Sequence, residues 1–145
     1  MASLATEVGA LPRGGVQISR VRMRAGTALT VLAVLFLGMD AAAKLIMPDA
    51  MIDHSPAIGI PADAGFYRLL GAILALCTVL YAWPRTAVLG AVLLTGYLGG
   101  AVATHLIAGS PLFGFTLFGV YLGAFVWAGL WLRDARLRQL FAFRA

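Results

Sequence analysis

The chain has 145 residues, 61% of them hydrophobic and 12% charged, with a formal net charge of +5. A soluble domain carries about 25% charged residues, so a water-soluble fold of ordinary composition is excluded. Nine of the eleven Lys and Arg residues sit at the chain ends and in one short turn, which is a topology signal rather than a nucleic-acid footprint, and no nucleic-acid partner is expected.

Residues 1–24 are basic, contain glycine and lack hydrophobic periodicity, so this segment is expected to be loose. The first apolar stretch covers residues 25–47. Ala41-Ala42-Ala43 looks like a signal-peptidase site, but the leader of about 24 residues and the adjacent Asp40 favour a retained anchor. Pro48 ends this stretch, and the connection to Ala64 holds Pro56, Gly59 and Pro61. It is the only long loop, and it reads equally as a binding lid or a passive tether.

The second span, residues 65–83, stops at Trp83-Pro84-Arg85, where an aromatic and a cation mark the interface. The third covers residues 86–108 and turns at Gly109-Ser110-Pro111 into the fourth, residues 112–132. Each stretch suits a bilayer that needs about 20 helical residues. Short connections make neighbours antiparallel, so residues 25–132 are predicted to form an all-α, up-down-up-down bundle of four transmembrane helices. Residues 133–145 alternate arginine with Leu137, Leu140, Phe141 and Phe143, the pattern of a short amphipathic helix on the membrane surface.

Arg13, Arg20, Arg22 and Arg24 precede the first span, Arg85 lies between the second and third, and Arg133, Arg136, Arg138 and Arg144 follow the fourth. Asp49, Asp53 and Asp63 occupy the long loop on the opposite side. The positive-inside rule then makes both termini cytoplasmic, in a multi-pass protein of the cell (inner) membrane. Gly96 with Gly100 and Gly119 with Gly123 have GxxxG spacing, so spans three and four are expected to pack through these faces, with homo-oligomerisation as the alternative. Cys77 is the only cysteine, which leaves no intramolecular disulfide or thiol-pair chemistry.

Four polar residues interrupt the apolar segments: Asp40, Lys44, Arg68 and His105. At a rise of about 1.5 Å per residue, Lys44, Arg68 and His105 each lie about 5 Å below the outer surface, with Asp40 about 6 Å deeper. Charged side chains in a span are costly and often face a cavity that serves function. Together they make a candidate ligand site, which Tyr97 and Thr104 on the third span extend inward and Asp53, His54 and Asp63 of the loop close over. The bland alternatives are a self-neutralising Asp40–Lys44 staple, an Arg68 that snorkels and a His105 that bonds a neighbouring helix. His54 and His105 have no metal-ligand spacing, so no metal is expected.

The run Arg68-Leu-Leu-Gly71, then Trp83-Pro84-Arg85-Thr86-Ala87 and Gly96-Tyr-Leu-Gly-Gly-Ala101 with His105-Leu106, resembles the DoxX-like family of small membrane proteins. Trp127-Ala-Gly-Leu-Trp131-Leu-Arg133 fits as well, as does Asp40 with Lys44-Leu45 before Pro48, so the resemblance covers about Ala25 to Arg138. It implies a four-helix membrane bundle and a link to membrane redox work, since founding relatives are subunits of a thiosulfate:quinone oxidoreductase. Other relatives assemble with oxidative-stress enzymes, and distant look-alikes act as assembly or cargo factors. The family has no established catalytic residue set to carry over, and this chain has no cysteine pair for a thiol-based role. The expected function is an accessory or small-molecule-binding (quinone- or lipid-like) subunit of membrane redox metabolism, its role accessory or catalytic, that works with a membrane or redox protein partner. The alternative is a non-catalytic assembly protein. Solute transport has less support, because the inner half shows no polar path.

Overall fold

The computed structural model describes residues 19–53 and 59–141. Helix α1 is Arg20–Ile46, the short α2 is Asp49–Ile52, and α3 is Ala64–Ala82. Helix α4 is Ala87–Ile107, a π-helical turn covers Leu112–Thr116, α5 is Phe118–Arg133 and α6 is Ala135–Phe141. Four segments are long and apolar enough to cross a membrane: Arg20–Ile46, Ala64–Ala82, Ala87–Ile107 and Leu112–Arg133. They correspond to the four spans expected from hydropathy. The first begins earlier than residue 25, because the helix runs on through Arg22 and Arg24 to where arginines meet headgroups.

Helix α1 packs on α3 and α5, and α4 packs on the same two helices. The bundle is therefore a closed ring in the order α1, α3, α4, α5, with α1 and α4 on one diagonal. Its core is a narrow stripe from each helix: Ala33, Leu37 and Ala41; Leu74, Cys77 and Tyr81; Ala87, Ala91, Leu94 and Leu98; Val126 and Leu130. These spacings of three and four give each helix one inward face. Leu32, Leu35, Phe36, Met39, Leu76, Val92 and Phe125 point outward and are exposed. In water such a surface would aggregate, whereas lipid tails cover it at no cost.

Glycine sets the closest approaches. A methyl group at Gly90 would stand 2.2 Å from the Tyr81 backbone nitrogen, so α3 and α4 nearly touch there. The two GxxxG pairs behave differently from each other and from the expectation. Gly119 lets α5 approach the Leu98 carbonyl, with a methyl there 3.1 Å from it, but positions Gly96 and Gly100 meet nothing within 4 Å. The cause is rotation: α4 turns Leu98 and Val102 toward α5, which leaves Gly96 and Gly100 facing outward.

The α4 C-terminus ends in a Schellman motif. Gly109 adopts φ +66°, its N–H donates to the Leu106 carbonyl, and the Ser110 N–H donates to the His105 carbonyl. Pro111 then blocks helix continuation. The fourth span opens as a π turn because the Thr116 and Leu117 N–H groups reach back five residues, to Pro111 and Leu112. The fully buried Thr116 hydroxyl anchors this turn by donating to the Ser110 carbonyl.

Candidate functional site

Asp40 and Lys44 lie one turn apart on α1, and their side chains form a direct ion pair. Spacing of four with the acid first is the favoured order on a helix. The Lys44 side chain is 14% exposed and that of Asp40 32%, so the lysine faces the bundle interior and the acid lies nearer its wall. Gly71 makes this possible: a methyl group there would stand 2.9 Å from the Lys44 Cβ and 3.1 Å from the Ala41 carbonyl oxygen. The bare backbone of α3 thus lies against the root of the lysine.

Tyr97 reaches the same region from the diagonal helix α4. It is half-buried against the core, and its hydroxyl is within electrostatic range of the Asp40 carboxylate and the Cys77 thiol. Helices α1 and α4 therefore bring the ion pair and a tyrosine hydroxyl into one region. Tyr67 adds a further candidate that the charges in the sequence hide. It is 5% exposed and sits one turn before Gly71 on the same face of α3.

The other expected residues are exposed or make local contacts of their own. Arg68 is exposed on α3, because one residue beyond Tyr67 is a rotation of about 100° around the helix. The His105 Nδ1 contacts the Ser110 Oγ at 3.1 Å, and the ring stacks with Phe115 at 6.1 Å, inside the turn between α4 and α5. Thr104 donates back to the Gly100 carbonyl at 3.0 Å. Asp63 is the N-cap of α3 and accepts from the Phe66 N–H at 2.7 Å, while Asp53 is exposed at the end of α2. His54 lies outside the described residues. Among the described residues, no three His, Cys, Asp or Glu side chains gather as a metal site would require.

An apolar groove of about 290 Å³ lies between α1 and α5. Leu32 and Phe36 line one wall, Phe118, Tyr121 and Phe125 the other, and the Phe36 and Phe118 rings lie 5.3 Å apart. Phe36 precedes Asp40 by one turn on α1, whereas Leu32 and Lys44, twelve residues apart, differ by about 120° around the helix. The groove wall is apolar and aromatic and does not include Asp40 or Lys44.

A second polar cluster, at the far end of the bundle, was hidden in the sequence. Tyr81 is fully buried, its hydroxyl donates to the Val126 carbonyl at 2.9 Å, and the Thr30 hydroxyl lies 3.3 Å away. Thr30 in turn donates to the Gly26 carbonyl at 2.9 Å. Arg133 donates to the Tyr81 carbonyl at 3.3 Å and lies over its ring at 5.5 Å from the centroid. With Thr86 donating to the Leu80 carbonyl at 2.8 Å, two orphan carbonyls at the α3 C-terminus are satisfied. This cluster ties α1, α3 and α5 together, and a tyrosine before the Trp-Pro pair was its only trace in the sequence.

The chain matches no curated protein and no solved structure. The model of the DoxX-like family matches residues 28–129, from near the start of α1 through nearly all of α5. That stretch contains the ion pair, Tyr97, the groove and the four-helix ring that holds them, and it is most of the chain, which belongs to the DoxX-like family of membrane proteins.

Proposed function

We propose that this protein is an accessory subunit of membrane redox metabolism that binds a quinone- or lipid-like amphiphile at the Asp40–Lys44 pair. The observation that carries the reading is an ion pair turned into the bundle, with an apolar groove whose Phe36 lies one helical turn before Asp40 on α1. The Lys44 ammonium donates to an oxygen of the head group, and Asp40 orients the lysine and exchanges a proton with it. Tyr97 supplies a second hydroxyl from the diagonal helix, and the groove between α1 and α5 receives the tail. A bound quinone would contribute a carrier of electrons and protons, with the protein supplying position and charge. The arginine distribution supports cytoplasmic termini in an inner membrane, with the ion pair toward the outer leaflet.

A second reading is an assembly protein in which the pair is a structural staple. It draws on the local bonding of Thr104, His105 and Asp63, which leaves only part of the expected site facing inward. Native mass spectrometry of the protein released gently from its membrane separates the two. A bound quinone or other lipid-like amphiphile supports the first reading, and a protein or protein complex without one supports the second.

A further inference from the structure

From Ala87 to Leu132 the sequence holds no aspartate, glutamate, lysine or arginine, so α4, the turn after it and α5 form an uncharged hairpin. The tip of that hairpin is strongly apolar. Ile107 is 88% exposed, Phe113 75%, Phe115 62% and Leu106 57%. The connection from α1 to α3 lies at the same end of the bundle and has the opposite character, with Asp49, Asp53 and Asp63.

Depth, bonding and shape point to what surrounds the tip. Helix α4 starts beside the Arg85 turn and runs for 21 residues. At about 1.5 Å per residue it ends about 31 Å away, where a hydrocarbon core of about 30 Å gives way to headgroups. The turn also meets much of its hydrogen-bonding capacity internally, as a segment in lipid must. The Pro111 carbonyl accepts from the Phe115 and Thr116 N–H groups, the Ser110 carbonyl accepts from the Thr116 hydroxyl, and the Ser110 hydroxyl contacts His105. Leu106 and Ile107 differ by about 100° around α4, and Phe113 and Phe115, two residues apart on the next turn, lie on nearly opposite sides of it. The apolar residues therefore ring the tip, which suits a medium that envelops it better than one docked helix.

We infer that the α4–α5 turn is a lipid-inserted anchor. Ile107, Phe113 and Phe115 lie among the acyl chains just beneath the headgroups, in the leaflet away from the arginine-bearing end, while the aspartate-bearing connection beside them stays in water. Apolar area removed from water at the tip holds the hairpin at this depth. At the other end, Arg85 and Arg133 with Trp83 and Trp131 set the depth through headgroup contacts. A soluble partner approaching from the tip side therefore meets the aspartate-bearing connection and not the turn. The anchor is independent of any ligand at the Asp40–Lys44 pair.

The test is fluorescence quenching on full-length protein in phosphatidylcholine vesicles. Ile107→Cys, Phe113→Cys and Asp53→Cys each carry a maleimide dye, and wild type, whose Cys77 is buried, is the labelling control. Iodide, present on both sides of the membrane, reports water, and a nitroxide on the acyl chain close to the headgroup reports lipid. The dyes at 107 and 113 are expected to be quenched by the nitroxide and to be at least about threefold less sensitive to iodide than the dye at 53. Both replaced side chains are exposed, and either variant carries the test if the other does not fold. Iodide sensitivity at 107 and 113 equal to that at 53 overturns the inference, because the turn then stands in water. Protection from both quenchers also overturns it, in favour of a protein surface, such as a second copy of this chain, over the turn.

Discussion

Gly71 and Lys44 meet across the α1–α3 interface, where a methyl group on the glycine would stand 2.9 Å from the lysine Cβ. The lysine can enter the bundle because α3 presents no side chain there. Replacing Gly71 by alanine also drives a methyl to 3.1 Å from the Ala41 carbonyl oxygen, which is rigid backbone. Overpacking of this kind costs about 1–3 kcal/mol. Thermal unfolding in detergent should show Gly71→Ala clearly less stable than wild type, and an unchanged midpoint would mean the helices do not approach this closely.

The ion pair itself should respond asymmetrically. Lys44→Leu leaves Asp40 partly buried without its partner, and Asp40→Leu does the same to Lys44, so each single change should destabilise by about 1–3 kcal/mol, below the range for a fully buried pair. The double change to leucine removes both charges and should recover most of that loss. Chemical unfolding of the four proteins measures the coupling, and additive single effects would show that the contact carries no energy.

Exposed and close-packed glycines of α4 should give opposite results. Gly90→Ala places a methyl 2.2 Å from the Tyr81 backbone nitrogen and should unfold or severely destabilise the protein. Gly96→Ala and Gly100→Ala meet nothing within 4 Å, and the gain in helix propensity should leave stability equal or higher by up to about 1 kcal/mol each. A marked loss at Gly96 or Gly100 would reveal a partner helix on that face, and size-exclusion with light scattering would show whether it is a second copy.

Tyr81→Phe removes the hydroxyl that bonds the Val126 carbonyl and contacts Thr30 while keeping the ring that fills the core. The expected cost is about 1 kcal/mol, the usual net worth of one internal hydrogen bond. Arg133→Met also strips a donor from the α3 C-terminus, and because Arg133 touches Tyr81 in two ways the double variant should lose less than the sum. Full additivity in unfolding midpoints would mean that the two residues act separately.

The four spans were legible because lipid imposes a length and an apolar composition that four stretches meet. The Asp40–Lys44 contact was legible too, since i,i+4 spacing determines it within one helix. Convergence between helices was not. Depth follows from counting residues, but rotation about each axis depends on packing, and a single residue separates the inward Tyr67 from the outward Arg68. The same ambiguity made Gly96 and Gly100 look like contact residues, although α4 turns Leu98 and Val102 to its neighbour instead. The Thr30–Tyr81–Arg133 cluster stayed hidden because its members are about fifty residues apart and are ordinary residues for a span end.

The most direct test of the central claim compares the lipophilic molecules that co-purify with wild type and with the Asp40→Leu/Lys44→Leu double variant. Both proteins are taken from the same membranes, extracted with organic solvent, and assayed for quinones and other isoprenoids per mole of protein. The account predicts a quinone- or lipid-like amphiphile on wild type that is lost from a double variant with native helix content and unfolding behaviour. Equal amounts on both proteins, or none on wild type, would contradict it and leave the pair as a staple.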